Sequence, residues 1–127
     1  MSENKQQILE ILHQVFDDNS QLILVSLSSP TGLPIISLER NENSEITEVE
    51  MGASNRFAAL SGASYSLADR TMSTFSEEKT KLINFRGNKK DCSISISTYA
   101  ICLIVTQPSG SSHVIAEKLN ATLKGVV

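Results

Sequence analysis

Two runs of this chain, Leu22-Ile-Leu-Val-Ser-Leu27 and Ala100-Ile-Cys-Leu-Ile-Val105, are apolar at almost every position. A strand that alternates can leave one face in water, but a strand apolar on both faces has to be covered on both, so each run belongs in the interior of a layered sheet. The rest of the sequence must then supply neighbouring strands and two covering layers. A chain of 127 residues suffices for one domain, here residues 1–127, that buries roughly two thirds of its unfolded surface without a disulfide or metal staple.

The covering layers read as helices. From Glu3 to Asp17, Ile8, Ile11, Leu12, Val15 and Phe16 recur at helical spacing, while Glu3, Lys5, Gln6, Glu10 and Gln14 turn outward. At the other end Ser111 or Ser112 caps a last helix carrying Ile115, Leu119, Thr122, Leu123 and Val126 on one stripe. The longest candidate starts near Thr47 and runs to about Ser73. Thr47 with Glu50 fits a capping box and Ile46 with Met51 a hydrophobic staple, with Ser44 as an alternative cap. Val49, Ala53, Phe57, Leu60, Ser64 and Leu67 form a stripe suited to lie on a sheet. A second stripe, Gly52, Asn55, Ala59, Gly62, Ala63 and Ser66, has almost no bulk. Glycine costs about 0.5–1 kcal/mol inside a helix relative to alanine, which favours close approach of another backbone there.

Between the helices lie the remaining strands. Ser29-Pro-Thr-Gly32 makes a hairpin turn, and Pro34 in the returning strand Leu33–Leu38 cannot donate to a ladder, which favours an edge. Glu39 to Glu45 reads as a polar linker. Lys79–Arg86 and Cys92–Ser97 alternate on either side of a Gly87–Asp91 turn, and Lys79, Lys81 and Arg86 suit an edge strand. Gln107-Pro-Ser-Gly110 ends the last strand. The expected fold is α/β of the α+β type. It has a five-stranded antiparallel sheet in the order 2-1-5-4-3, one long helix on one face and two terminal helices on the other.

The element order, the Gly-Leu-Pro-Ile-Ile run at Gly32–Ile36, the Ala/Ser-rich long helix and the closing Ala-Ile-Cys-Leu-Ile-Val strand together resemble the roadblock/dynein light chain family over Leu9 to Val126. The polar linker before the long helix and the basic Lys89-Lys90 loop depart from its common pattern. The resemblance implies a homodimer that binds and regulates, or scaffolds, a Ras-like small GTPase, or serves as a light-chain-like subunit of a larger assembly. A GAF/PAS-like small-molecule sensor shares the sheet-and-helix plan, but a core filled by Leu, Ile and Val offers few groups to orient a ligand.

Catalytic chemistry is hard to place on this chain. His13 and His113 have no metal-ligand spacing around them, Cys92 and Cys102 fit buried thiols better than a redox pair, and neither phosphate-binding glycine motif is present. No enzyme activity, metal or cofactor is expected. A solvated helix end accounts for Asp69 and Arg70 better than a reach into a partner's site. A net charge of −3 and the absence of Trp argue against a nucleic-acid surface, and no apolar run is long enough for membrane insertion. With two Cys and no leader-like segment, the expected setting is cytoplasmic. Glu39, Glu42, Glu45, Glu48 and Glu50 cluster around Arg40, and Lys79, Lys81, Arg86, Lys89 and Lys90 around the later hairpin.

The expected site is therefore a surface. The strand at Lys79–Arg86 has an unpaired edge and the long helix has an underfilled stripe, and one twofold axis would satisfy both. Gly52, Asn55, Ala59, Gly62, Ala63 and Ser66, with Lys81, Ile83 and Phe85, are expected at or beside a dimer interface.

Overall fold

The computed structural model describes residues 2–108 and 110–127, the side chains of Ser2 and Glu3 excepted. The outward face expected of Glu3 and the turn position of Ser109 lie outside the described residues. The chain runs α1 (Ser2–Asp18), β1 (Leu22–Ser28), β2 (Pro34–Arg40), β3 (Ile46–Glu48), α2 (Met51–Phe75), β4 (Leu82–Arg86), β5 (Asp91–Ile96), β6 (Ile101–Thr106) and α3 (Ser112–Thr122). All neighbouring strands are antiparallel in one sheet ordered β3-β2-β1-β6-β5-β4.

The two apolar runs are the central pair. Val25 faces Ile104 and Leu27 faces Cys102 across β1 and β6. Helices α1 and α3 cover one face, where Leu12, Phe16, Ile115 and Leu119 pack on Val25, Leu27, Leu38 and Ile104. Helix α2 covers the other, where Phe57 and Tyr65 pack against Leu24, Ile94, Ile101 and Leu103. The polar side of β5 is also buried. Ser93 hydrogen-bonds Ser112 at 2.7 Å, and Asn120 Nδ2 donates to the carbonyls of Ser95 and Ala100, which seats α3.

The sheet has six strands rather than the five expected, because the supposed cap of α2 is a strand. Asn41 Oδ1 accepts the backbone N–H groups of Asn43 and Glu45, and Ser44 takes φ 62°. This Asx turn folds the polar stretch into a hairpin, so Thr47 pairs with Glu39 and Ile46 with Arg40. Helix α2 starts at Met51 with Glu50 as an extended N-cap that makes no side-chain capping bond. The 25 residues of α2 extend about 37 Å.

The extra strand also changes the place of Pro34. Strand β2 is not at the edge, but β3 pairs only with Leu38, Glu39 and Arg40, so the outer side of β2 is open at Pro34, where no donor is needed. Arg40, expected among the acidic residues, instead points inward. Its Nε donates to the carbonyl of Leu22, and its Nη2 to those of Phe16 and Asn19, tying the end of α1 to the start of β1.

Candidate functional site

Helix α2 lies on the sheet by its small residues. Ser54, Ala58 and Ser61 are buried, and Ser37 Oγ stands 2.8 Å from both Ser54 Oγ and Ser26 Oγ. Serines on the strands meet serines on the helix, so the backbones approach closely with every buried hydroxyl of this trio hydrogen-bonded. The apolar stripe expected to do this job is rotated off the sheet. Ala53 is buried and Val49, Phe57 and Ser64 half-buried, whereas Leu60 and Leu67 stand 60 % and 67 % exposed.

The side of α2 carrying Leu67 overhangs β4, the last strand of the sheet. Between them runs a groove of about 920 Å³ whose lining includes Ser64, Leu67, Ala68, Thr71, Ile83 and Phe85. Phe85 is 48 % exposed on the edge strand and Phe75 82 % exposed at the end of the helix. Leu67 and Phe85, both exposed and both lining the groove, mark a surface that is covered in use.

The open edge has a defined polarity. Ile96 N–H donates to the Lys81 carbonyl and Gly87 N–H to the Lys90 carbonyl, each at 2.9 Å. In an antiparallel strand the two groups of a residue point to one side and successive residues alternate, so Lys81, Ile83, Phe85 and Gly87 are turned toward β5. Leu82, Asn84 and Arg86 therefore turn their N–H and C=O groups to the free edge. Side chains alternate in step with these groups, so Ile83 and Phe85 share the α2 face with Ile94 and Cys92, while Asn84 lies on the α3 face.

The expected interface residues divide into two groups. Lys81, Ile83 and Phe85 border the groove. At about 100° per residue, Asn55, Ala59, Gly62 and Ser66 point away from Ser64, Leu67 and Thr71, and Gly52 and Ala63 lie on the ridge between. A Cβ added at Gly62 meets nothing within 4 Å, and at Gly52 only a Glu50 side-chain oxygen at 3.6 Å, so neither glycine is explained by close approach within the chain. Leu67 and Asn84 also line the groove and are not singled out by the sequence reading. Leu67, like the exposed Leu60 seven residues before it, reads there as core, although seven-residue spacing marks a helix seam as readily as a buried stripe.

The remaining chemical groups are spread over the molecule. Cys102 is buried on the α1/α3 face and Cys92 lies half-buried on the α2 face, both as free thiols. Burial pushes Cys92 up to about 11 and Cys102 up to about 12. His13 is exposed and His113 half-buried, and among the described residues no group of three His, Cys, Asp or Glu could hold a metal. Asp69 is more than a solvated end, because its Oδ1 accepts the Thr80 N–H at 3.2 Å and ties the segment before β4 to α2. No helix among the described residues is long and apolar enough to cross a membrane.

No protein-family model matches the chain, and no curated protein matches it in sequence. Its fold does match solved structures. A roadblock/LC7 domain from Streptomyces avermitilis superposes with a TM-score of 0.69 at 13% identity, over 90% of this chain and 89% of that one. MglB of Myxococcus xanthus gives 0.73 at 14% identity, over 94% of each chain. MglB with a tetrameric arrangement gives 0.74 at 11% identity, over 97% of this chain and 89% of that one. The chain has the roadblock/LC7 fold.

Proposed function

We propose that this chain is a non-enzymatic homodimeric module that binds and regulates, or scaffolds, a Ras-like small GTPase. The observation that carries the self-association is β4. Its outer backbone groups are unpaired, it is flanked by the groove under Leu67, and Ile83 and Phe85 share the face of the sheet on which α2 lies. A second copy related by a twofold axis adds its own β4 to this edge and brings its α2 alongside, covering Leu60 and Leu67. Burial of Leu67 and Phe85 then replaces exposed apolar surface with packed contacts.

The small-residue flank of α2 stays free in this arrangement and is available to the other protein. The GTPase partner rests on the fold, which is that of roadblock/LC7 domains and MglB. A surface role also fits the protonated, buried thiols, neither of which is a nucleophile at neutral pH.

Light scattering coupled to size exclusion tests the first half, with a dimer expected at tens of micromolar and a monomer counting against it. Pull-downs of small GTPases, with the nucleotide exchanged for a GTP analogue or GDP, test the second. Retention that depends on the bound nucleotide is expected. Equal failure to retain any GTPase in either state would leave only the self-associating module.

A further inference from the structure

The polarity of the β4 edge restricts how a second copy can pair with it. We propose that Asn84 lies on the twofold axis of the homodimer, facing the partner's Asn84, and that this amide pair sets the register and selects a second copy of this chain. The inference rests on the homodimer proposed above.

With both α2 helices on one side of a continuous sheet, the axis is perpendicular to the sheet, and paired residues lie on the same face. The free hydrogen-bonding groups belong to Leu82, Asn84 and Arg86. Centring on Asn84 uses all of them, joining Leu82 to the partner's Arg86, Asn84 to its own copy, and Arg86 to the partner's Leu82. Moving the axis to Ile83 would pair Arg86 with the partner's Thr80, whose N–H is already donated to Asp69 Oδ1. Moving it to Phe85 would pair Leu82 with the partner's Asn88, in the turn that Gly87 and Lys90 close.

Both faces suit the central register. On the α2 face Ile83 meets the partner's Phe85, and Phe85 the partner's Ile83, two β-branched–aromatic pairs at the floor of the groove. On the α3 face Asn84 is held in position before any partner arrives. Ser93 Oγ donates to Asn84 Oδ1 at 2.7 Å, and Ser93 is itself held by Ser112 at 2.7 Å. This leaves Nδ2 directed to donate to the partner's Oδ1, whose second lone pair is open. Two such bonds about the axis reject a chain that lacks the amide, as a single asparagine does in a coiled-coil seam.

The test uses cysteine cross-linking in a Cys92→Ser background, because Cys92 lies directly across from Phe85 and would compete for it. Asn84→Cys, Ile83→Cys and Phe85→Cys chains are treated with copper–phenanthroline, and each is weighed by light scattering in reductant. Asn84→Cys should cross-link to itself. Ile83→Cys and Phe85→Cys should not do so alone, but an equilibrated mixture of the two, which retains Asn84, should. Asn84→Asp places two carboxylates on the axis and should weaken the dimer at least about tenfold. Dimers in reductant whose Asn84→Cys chains stay uncross-linked, or whose Ile83→Cys chains cross-link to themselves, would overturn the register alone. A monomer in reductant for the Cys92→Ser parent chain would overturn the dimer as well.

Discussion

The guanidinium of Arg40 lies over the ring of Phe16, with its central carbon 5.4 Å from the ring centroid. The same group donates to three backbone carbonyls, of Phe16, Asn19 and Leu22, at 2.9–3.0 Å. One planar fork therefore satisfies carbonyls at the end of α1 and the start of β1 and stacks on the aromatic residue that closes α1. A lysine at this position can reach as a point charge, but cannot spread its donors in a plane.

Arg40→Ala should cost about 2 kcal/mol of folding stability, and Arg40→Lys should recover less than half of it. Urea denaturation at fixed protein concentration measures this. Losses below about 0.5 kcal/mol for both variants, the range of ordinary surface changes, would show that the clamp is incidental.

Glycine substitutions separate a crowded position from an open one. A Cβ on Gly110 meets Thr106 Oγ1 at 2.7 Å and the backbone carbonyl oxygen of Gln107 at 2.9 Å, whereas a Cβ on Gly62 meets nothing. Gly110→Ala should destabilise by about 1–3 kcal/mol. Gly62→Ala should stabilise by about 0.5–1 kcal/mol through helix propensity alone. Thermal melts compare the two; a destabilised Gly62→Ala chain would mean that another backbone does approach that flank.

The burial of the two thiols gives stability a direction in pH. Their ordinary value is 9.0, and folding raises Cys92 to about 11 and Cys102 to about 12. Well below pH 9 both states are protonated and nothing changes. Above it the unfolded chain releases protons that the folded chain retains, so the unfolded state binds fewer protons and stability falls with rising pH. The contribution disappears progressively between pH 9 and about 12. The comparison is with Cys102→Ala, whose stability should fall less steeply from pH 8.5 to 10.5. Parallel slopes for the two chains would show that Cys102 is not the source.

Much of this fold is legible in the sequence, because periodicity and turn chemistry are local. The doubly apolar Leu22–Leu27 and Ala100–Val105 runs do lie at the centre of the sheet, and the helices cover both of its faces. Strand β3 was hidden because Thr47-Glu-Val-Glu50 satisfies a capping box as well as it continues a hairpin. The Asx turn at Asn41 decides between them, in a stretch that reads from the sequence as an open linker. The rotation of α2 was illegible for a different reason. Spacing tells which residues share a face, but the serines of β1 and β2 decide which face fits, and Ser26 and Ser37 accept only a smooth helix surface. The edge polarity that singles out Asn84 depends on hydrogen bonds that no residue pattern encodes.

The two flanks of α2 predict opposite consequences for the same change. Leu67→Glu puts a charge into the groove beside Phe85 and should weaken the dimer by more than about tenfold, because a desolvated charge without a partner faces apolar side chains. Ala59→Glu and Asn55→Glu, on the far flank, should leave the mass in solution unchanged. Sedimentation velocity across a concentration series reads all three chains. Loss of the dimer with Ala59→Glu and its survival with Leu67→Glu would place the contact on the small-residue flank instead.

Ionic strength offers a test that needs no substitution. Lys79, Lys81, Arg86, Lys89 and Lys90 are all exposed along or beyond β4, accompanied nearby by the exposed carboxylates of Glu77 and Glu78. In the proposed dimer, antiparallel pairing would lay the start of one β4 beside the end of the other, so five cations and two carboxylates from each copy would meet along one seam. The excess would be positive on both sides, and the proposed attraction is apolar and backbone hydrogen bonding, which salt does not screen. Raising the salt from about 0.01 M to about 0.15 M shortens the screening length from about 30 Å to about 8 Å, which weakens the repulsion and should tighten the dimer. Lys89→Glu with Lys90→Glu leaves three cations and four carboxylates in each copy, so the excess falls from three positive charges to one negative, and this chain should dimerise more tightly than the unmodified one at low salt and respond less to added salt. A dimer of the unmodified chain that dissociates on addition of salt would mean that opposite charges, and not the apolar groove, hold the copies together.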